Sequence, residues 1–191
     1  MPRALIVSAG ASSNEYLARH VAEYGYPRPT IVPSCGEARR LLGTSSFQLV
    51  VINTPLPDEV GHELGLYVVR NTLAGALLLV KAANAEQAAG LVEDSGVLVL
   101  SKPFNAAAFR QGLHLAAATA HRLENLWQEN ERLRSKLEQT RLVCRAKCQL
   151  IRQEDMTEAQ AHRYLEKLAM DTRRSLVQVA LDVLGADEPP E

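Results

Sequence analysis

The sequence predicts an α/β fold: a five-stranded parallel sheet covered by helices, continued by a long helix and a small three-helix all-α domain. Three observations predict it. Over residues 1–105, short apolar runs alternate with helical patterns, as strand–helix–strand crossovers require. The run QLVVIN at 48–53 is apolar almost throughout and rich in β-branched residues, the pattern of a central parallel strand buried on both faces. From Asn105 onward helix breakers nearly vanish: Gly112 is the only glycine before Gly185, and no proline occurs before Pro189.

The elements follow in order. Ala4–Ser8 is a first strand. Ser12–Tyr24 is a helix, with Ser12 or Ser13 as its cap and Glu15 in its first turn. Thr30–Pro33 is a short strand and Gly36–Leu42 a helix. Gln48–Asn53 is the central strand, followed by a loop, TPLPDEVG, with two prolines. His62–Asn71 is a helix, Ala76–Lys81 a strand, Asn84–Glu93 a helix and Gly96–Leu100 the fifth strand. Five strands in this order suggest a doubly wound, flavodoxin-like sheet, whose right-handed crossovers place functional loops at the carboxyl ends of the strands.

Beyond Asn105, Leu123, Leu126, Asn130, Leu133 and Leu137 step by three and four, the spacing of a heptad seam. Asn130 takes an a position, where a buried polar residue sets register. Glu129 and Arg134 stand at g and e, the offset for an interchain pair. This pattern predicts a parallel homodimer through a coiled-coil linker at 113–140. The competing reading is a single helix packed on its own domain. Three further helices are expected behind it. Thr157 and Gln160 form a capping box, Ser175 caps a last helix, and Gly185 ends it.

Composition excludes several classes. The chain has 191 residues, 47% of them hydrophobic, so a packed core is expected and wholesale disorder is not. Net charge is −1, so any nucleic-acid contact must come from local clusters of Arg and Lys. The opening MPRALIVSAG has a strand pattern, so no signal peptide is expected. No run approaches the roughly 20 apolar residues of a membrane span, and a cytoplasmic protein is expected. Cys144 and Cys148 share a helix face, but two thiols without a second pair make a poor zinc site, and no metal or cofactor is expected. Cys35, Cys144 and Cys148 read as small apolar residues in a reducing compartment.

Two stretches carry family resemblances. Residues 3–120 resemble a response-regulator receiver, on FQLVVINTPLP at the third strand and on Lys102-Pro103-Phe104 after the fifth. The resemblance implies five functional groups: an acidic pair after strand one and an acceptor aspartate after strand three to hold Mg²⁺, a Ser or Thr ending strand four, and a lysine after strand five. Here Ser8-Ala9-Gly10 replaces the acidic pair. Asn53 stands at the acceptor position, Lys81 at the switch position, and Lys102 alone remains. An amide oxygen is too weak a nucleophile to form an acyl phosphate, and Mg²⁺ needs carboxylate oxygens. The domain is therefore expected to be a pseudo-receiver. Asp58 and Glu59, past the loop, are near enough in the chain to pair with one of the lysines. Asn53, Lys81 and Lys102 are either remnants making ordinary loop hydrogen bonds or a corner that binds an anion.

Residues 137–184 resemble the ANTAR domain, an RNA-binding antitermination module. The matched residues are Ala146-Lys147, Met156-Thr157-Glu158, Ala161, Tyr164, Leu165, Ala169, Arg173-Arg174-Ser175-Leu176 and Val179-Ala180. Cys148 stands where a glycine is frequent and Gln149 where an apolar residue is common. The resemblance implies contact with stem-loops of a leader transcript. The expected contact residues are Arg145, Lys147, Arg163, Tyr164, Lys167, Arg173 and Arg174, with Arg141 and Arg152 beside them. The competing reading is a solvated helix face paired to Glu158, Glu166 or Asp171.

The expected organisation is a pseudo-receiver at 1–120, the linker at 113–140, the ANTAR domain at 137–185 and a disordered tail at 186–191. The expected function is RNA-binding transcription antitermination without aspartyl phosphorylation, under a regulatory protein partner or another signal. A protein–protein adaptor is the alternative. No enzyme is expected, because His20, His62, His114, His121 and His162 are scattered with no nucleophile at a useful spacing.

Overall fold

The computed structural model describes residues 2–92 and 94–185. The expected tail at 186–191 lies outside the described residues, as does Glu93 of the expected fourth helix. The order is β1 (Ala4–Val7), α1 (Ala11–Tyr24), β2 (Thr30–Val32), α2 (Cys35–Thr44), β3 (Leu49–Asn53), α3 (His62–Asn71), β4 (Gly75–Lys81), α4 (Ala85–Leu91), β5 (Leu98–Lys102), α5 (Ala106–Gln153), α6 (Glu158–Thr172) and α7 (Leu176–Leu184). All five strands are parallel, in the order β2-β1-β3-β4-β5. This is the flavodoxin-like sheet, with its switch point between β1 and β3.

Period-two alternation divides the sheet's side chains between two layers. Leu5, Val7, Val50, Ile52, Leu78 and Val80 face one core, with Leu64 and Val68 of α3 and Ala38 of α2. Ala4, Ile6, Leu49, Val51, Leu77 and Leu79 face the other, with Leu17 and Val21 of α1 and Phe109 and Leu113 of α5. β1 and β3 are buried along their whole length, as central strands with both faces covered must be.

Three local expectations are corrected. α1 begins at Ala11 behind Gly10, without a side-chain cap, so Ser12 and Ser13 lie inside its first turn and no acid stands there. α2 is capped by Ser34, whose hydroxyl accepts the Glu37 N–H, so it starts before Gly36. β5 runs two residues later than expected because Gly96 turns the chain at φ +87 and the register pairs Leu77 with Leu98 and Lys81 with Lys102. A short 3₁₀ turn at Ala82–Asn84 precedes α4.

The chain divides into two compact units between Leu126 and Trp127, inside α5. The second unit has its own core: Ala146 and Leu150 from α5, Ala161 and Leu165 from α6, and Val179 and Ala180 from α7. Four of these six are alanine or valine, so the three helices approach closely. The Thr157–Gln160 box is formed, and Ser175 with Gln178 forms a second one. Gly185 ends α7 at φ +68, in the left-handed region. None of the described helices is long and apolar enough to cross a membrane.

Candidate functional site

The carboxyl ends of β1, β3, β4 and β5 form the corner where a receiver does its chemistry. Asn53, the last residue of β3, is 8% exposed, and its amide donates to Ser8 Oγ at 2.9 Å. Ser8 is itself buried, and its N–H reaches the Val32 carbonyl at 2.8 Å. The Asn14 amide, turned to donate, also reaches Ser8 Oγ at 2.6 Å. Thr54 donates through N and Oγ1 to the Leu79 carbonyl, at 3.0 and 2.9 Å. Lys102 Nζ donates to the Thr54 carbonyl at 2.5 Å. Burial, and then the charge of Lys81, pull the Lys102 ammonium below the usual lysine range. Lys81 is exposed beside it, and Ala9 is exposed at the end of β1.

Among the described residues no carboxylate is bonded to Asn53, Lys81 or Lys102. The expected pairing of Asp58 or Glu59 with a lysine is corrected. Asp58 accepts the N–H groups of Cys35 and Gly36 at 3.1 and 2.9 Å, at the first turn of α2. Those two bonds, Gly36 first, hold its carboxyl below the usual range. Glu59 makes a two-point ion pair with Arg39, one arm at 2.8 Å, which holds its carboxyl down as well. The loop after β3 is thus fastened to α2. A receiver's Mg²⁺ does not fit the donors present, which are an amide, a hydroxyl and two ammonium groups. Among the described residues no group of three His, Cys, Asp or Glu is placed to hold a metal.

The second candidate surface lies on the three-helix unit. Arg145, Arg163, Tyr164, Lys167 and Arg173 are exposed. Arg163 Nε donates to its own helix at the Ala159 carbonyl, 3.2 Å away. Among the described residues, Arg145, Arg163, Lys167 and Arg173 make no ion pair with Asp or Glu. Arg163 and Lys167, four apart, share the outer face of α6 with Tyr164 one residue on. Arg173 ends α6 at φ 54, left-handed without being glycine.

Two of the expected residues are engaged otherwise. Lys147 Nζ meets Glu158 at 2.5 Å with only 17% of its side chain exposed. Arg174 pairs with Asp182 through both nitrogens, at 2.5 and 3.1 Å. Glu166 is taken by His162 at 3.3 Å. Gln149, where an apolar residue was expected, donates to the Val183 carbonyl at 2.9 Å and so satisfies one of α7's last carbonyls. Cys148 is exposed and crowds nothing inside the unit.

Along α5, Leu126, Leu133 and Leu137 are 59%, 56% and 53% exposed, and Leu123 and Asn130 are exposed with them. Glu129 and Arg134 each have a partner in their own chain: Arg132 at 3.2 Å and Glu131 at 3.6 Å.

Comparison with known proteins agrees with this division. Residues 131–184 match the ANTAR domain. The chain is 25% identical over 189 residues to the transcriptional regulatory protein PdtaR of Mycobacterium tuberculosis, covering 96% of this chain and 91% of that one. A signal receiver domain of an HD-domain-containing protein from Pseudomonas fluorescens matches at TM-score 0.58 and 19% identity, over 65% of this chain and 92% of that one. An adenylate cyclase structure from Rhodopirellula baltica matches at TM-score 0.59 and 20% identity, over 70% of this chain and 97% of that one. At such identities the two structures establish the fold alone.

Proposed function

We propose that this chain, an ANTAR-type regulator with a receiver-like front domain, is an RNA-binding transcription antiterminator that works without aspartyl phosphorylation. The observation that carries the reading is the set of exposed cations on the three-helix unit. Arg145, Arg163, Lys167 and Arg173 have no acidic partner among the described residues, and Tyr164 stands 44% exposed beside them. Unpaired cations suit phosphates, and a tyrosine or arginine plane suits an unstacked loop base. The target is a pair of stem-loops in a leader transcript. Holding them prevents a competing terminator hairpin from forming.

The same reading makes the protein a parallel homodimer through the α5 leucines. Two tethered modules bind two stem-loops better than one, because the second contact is made at high effective concentration. Control then rests with a protein partner or another signal acting in the cytoplasm, since Asn53 offers no acceptor. The chain's work is a binding equilibrium, with no covalent step.

A gel shift with a two-stem-loop leader RNA tests the reading, at two salt concentrations and without a phosphodonor. Binding that weakens with salt and with Arg163→Ala/Lys167→Ala supports it. A folded protein that binds no such RNA at low salt, whether as the full chain or as residues 120–191, removes it. The adaptor reading draws on Lys147 and Arg174, whose charges are already committed to Glu158 and Asp182. It gains if a protein partner binds and RNA does not.

A further inference from the structure

Cys144 and Cys148 lie one turn apart on α5, and both are exposed. The heptad count that puts Leu123, Asn130 and Leu137 at a positions puts Cys144 at the next one. Leu126, Leu133 and Thr140 fill the d positions between, and the whole stripe is uncovered. It stops there. The next d residue, Lys147, turns to Glu158 of its own chain. The next a residue, Ile151, packs on the core of the three-helix unit. Cys144 is therefore the last open a residue of the seam.

We propose that Cys144 is a redox lock between two copies of this chain, in which the paired Cys144 thiols oxidise to an interchain disulfide. The inference rests on the parallel dimer described above. In a parallel pair, equivalent a residues face each other across the axis, so Cys144 meets its own counterpart. Pairing within one chain is ruled out by geometry. Residues four apart on a helix hold their Cβ atoms about 5–6 Å apart, whereas a disulfide needs about 3.5–4.5 Å. Cys35 is fully buried in the sheet's core. Cys144 is exposed, so an oxidant in solution can reach its thiol.

The oxidant is a peroxide. One Cys144 thiolate attacks a peroxide oxygen; the O–O bond breaks, and one oxygen leaves as water after taking a proton. The sulfenic acid so formed is attacked by the partner's Cys144 thiolate. The S–S bond forms, the S–O bond breaks, and the second oxygen leaves as water. Two thiols and one peroxide give one disulfide and two waters, with two electrons passing from sulfur to oxygen. A dithiol reductant reverses the lock. The exposed cations of the unit are untouched, so oxidation fixes the pairing of two modules without altering either surface.

The test uses the full chain at low micromolar concentration. Light scattering of the reduced protein reads the dimer; hydrogen peroxide followed by a non-reducing gel and peptide mass spectrometry reads the lock. We expect a reduced dimer that becomes mostly covalent, reverts with dithiothreitol, is lost in Cys144→Ser and persists in Cys148→Ser. Leu133→Asp, on an exposed position that leaves the fold intact, lowers the covalent yield at least tenfold. A reduced dimer that gives no covalent product, or one that survives Cys144→Ser, overturns the lock and leaves the dimer standing. A covalent yield unchanged in Leu133→Asp marks random collision and overturns it too. A reduced monomer overturns the dimer and the lock together.

Discussion

The Lys102 ammonium donates to the Thr54 backbone carbonyl, 2.5 Å away and one residue past Asn53. The lysine that a receiver turns toward phosphate is here a brace for the loop after β3. Restoring the acceptor alone is therefore not expected to restore phosphorylation. Asn53→Asp, incubated with acetyl phosphate and Mg²⁺, is expected to take up no phosphoryl group by intact mass, because Ser8, Ala9 and Gly10 still offer the metal no carboxylate. A stable phosphoryl adduct on Asp at 53 would refute this.

Gly75 opens β4 directly against the backbone of α5 at Ala116. A Cβ built there would lie 2.0 Å from the Ala116 carbonyl oxygen, a backbone atom that cannot step aside. Gly75→Ala is expected to cost at least about 2 kcal/mol, measured by urea unfolding. Gly90, inside α4, has nothing within 4 Å of its added Cβ. Gly90→Ala is expected to be neutral or stabilising, by up to about 1 kcal/mol.

The carboxylates of Asp58 and Glu59 are both held below their ordinary values, Asp58 by the N–H groups of Gly36 and Cys35 and Glu59 by Arg39. A depressed folded value means that the stabilisation is complete above the unfolded value, about 4, and is lost as pH falls through the folded one. The urea midpoint should therefore drop on acidification below about pH 5. Asp58→Asn/Glu59→Gln should flatten that drop. An identical pH profile in the variant would show that the latch contributes nothing.

Lys147 and Lys167 should differ as RNA contacts. Lys147 is already neutralised by Glu158, while Lys167 has no acidic partner among the described residues. Lys167→Ala is expected to weaken RNA binding severalfold and to lower the salt dependence by roughly one phosphate contact. Lys147→Ala should cost less affinity than this, and Glu158→Gln should raise affinity at low salt. Equal losses from the two lysines would mean that the ion pair opens on binding.

The sheet was legible because β1, β3 and β4 are apolar on both faces and each helix follows at the right distance; α3 lies at His62–Asn71 as its pattern predicts. The three-helix unit was legible from Thr157, Ser175 and Gly185, whose capping chemistry is local. What the sequence hides is long-range. Nothing near Asp58 in the chain points to Cys35 and Gly36, 23 and 22 residues away. Gln149 looks like a misplaced polar residue until α7 brings Val183 to it. Glu158 is eleven residues from Lys147, too far for a helical-spacing rule. Lys147 and Arg174, both expected on the basic surface, carry such distant partners in Glu158 and Asp182.

The Asn53–Ser8 hydrogen bond has a consequence for how this corner can vary. A reaction centre is held to its residues by what they do to another molecule. Here the amide donates to the hydroxyl of the same fold, both buried where an unmatched polar group costs more than a matched pair contributes. Exchanging the two together for apolar residues of similar shape is therefore cheaper than changing either alone. Asn53 and Ser8 are in this sense coupled: the fold loses less stability when both go together than when one goes and leaves the other unmatched.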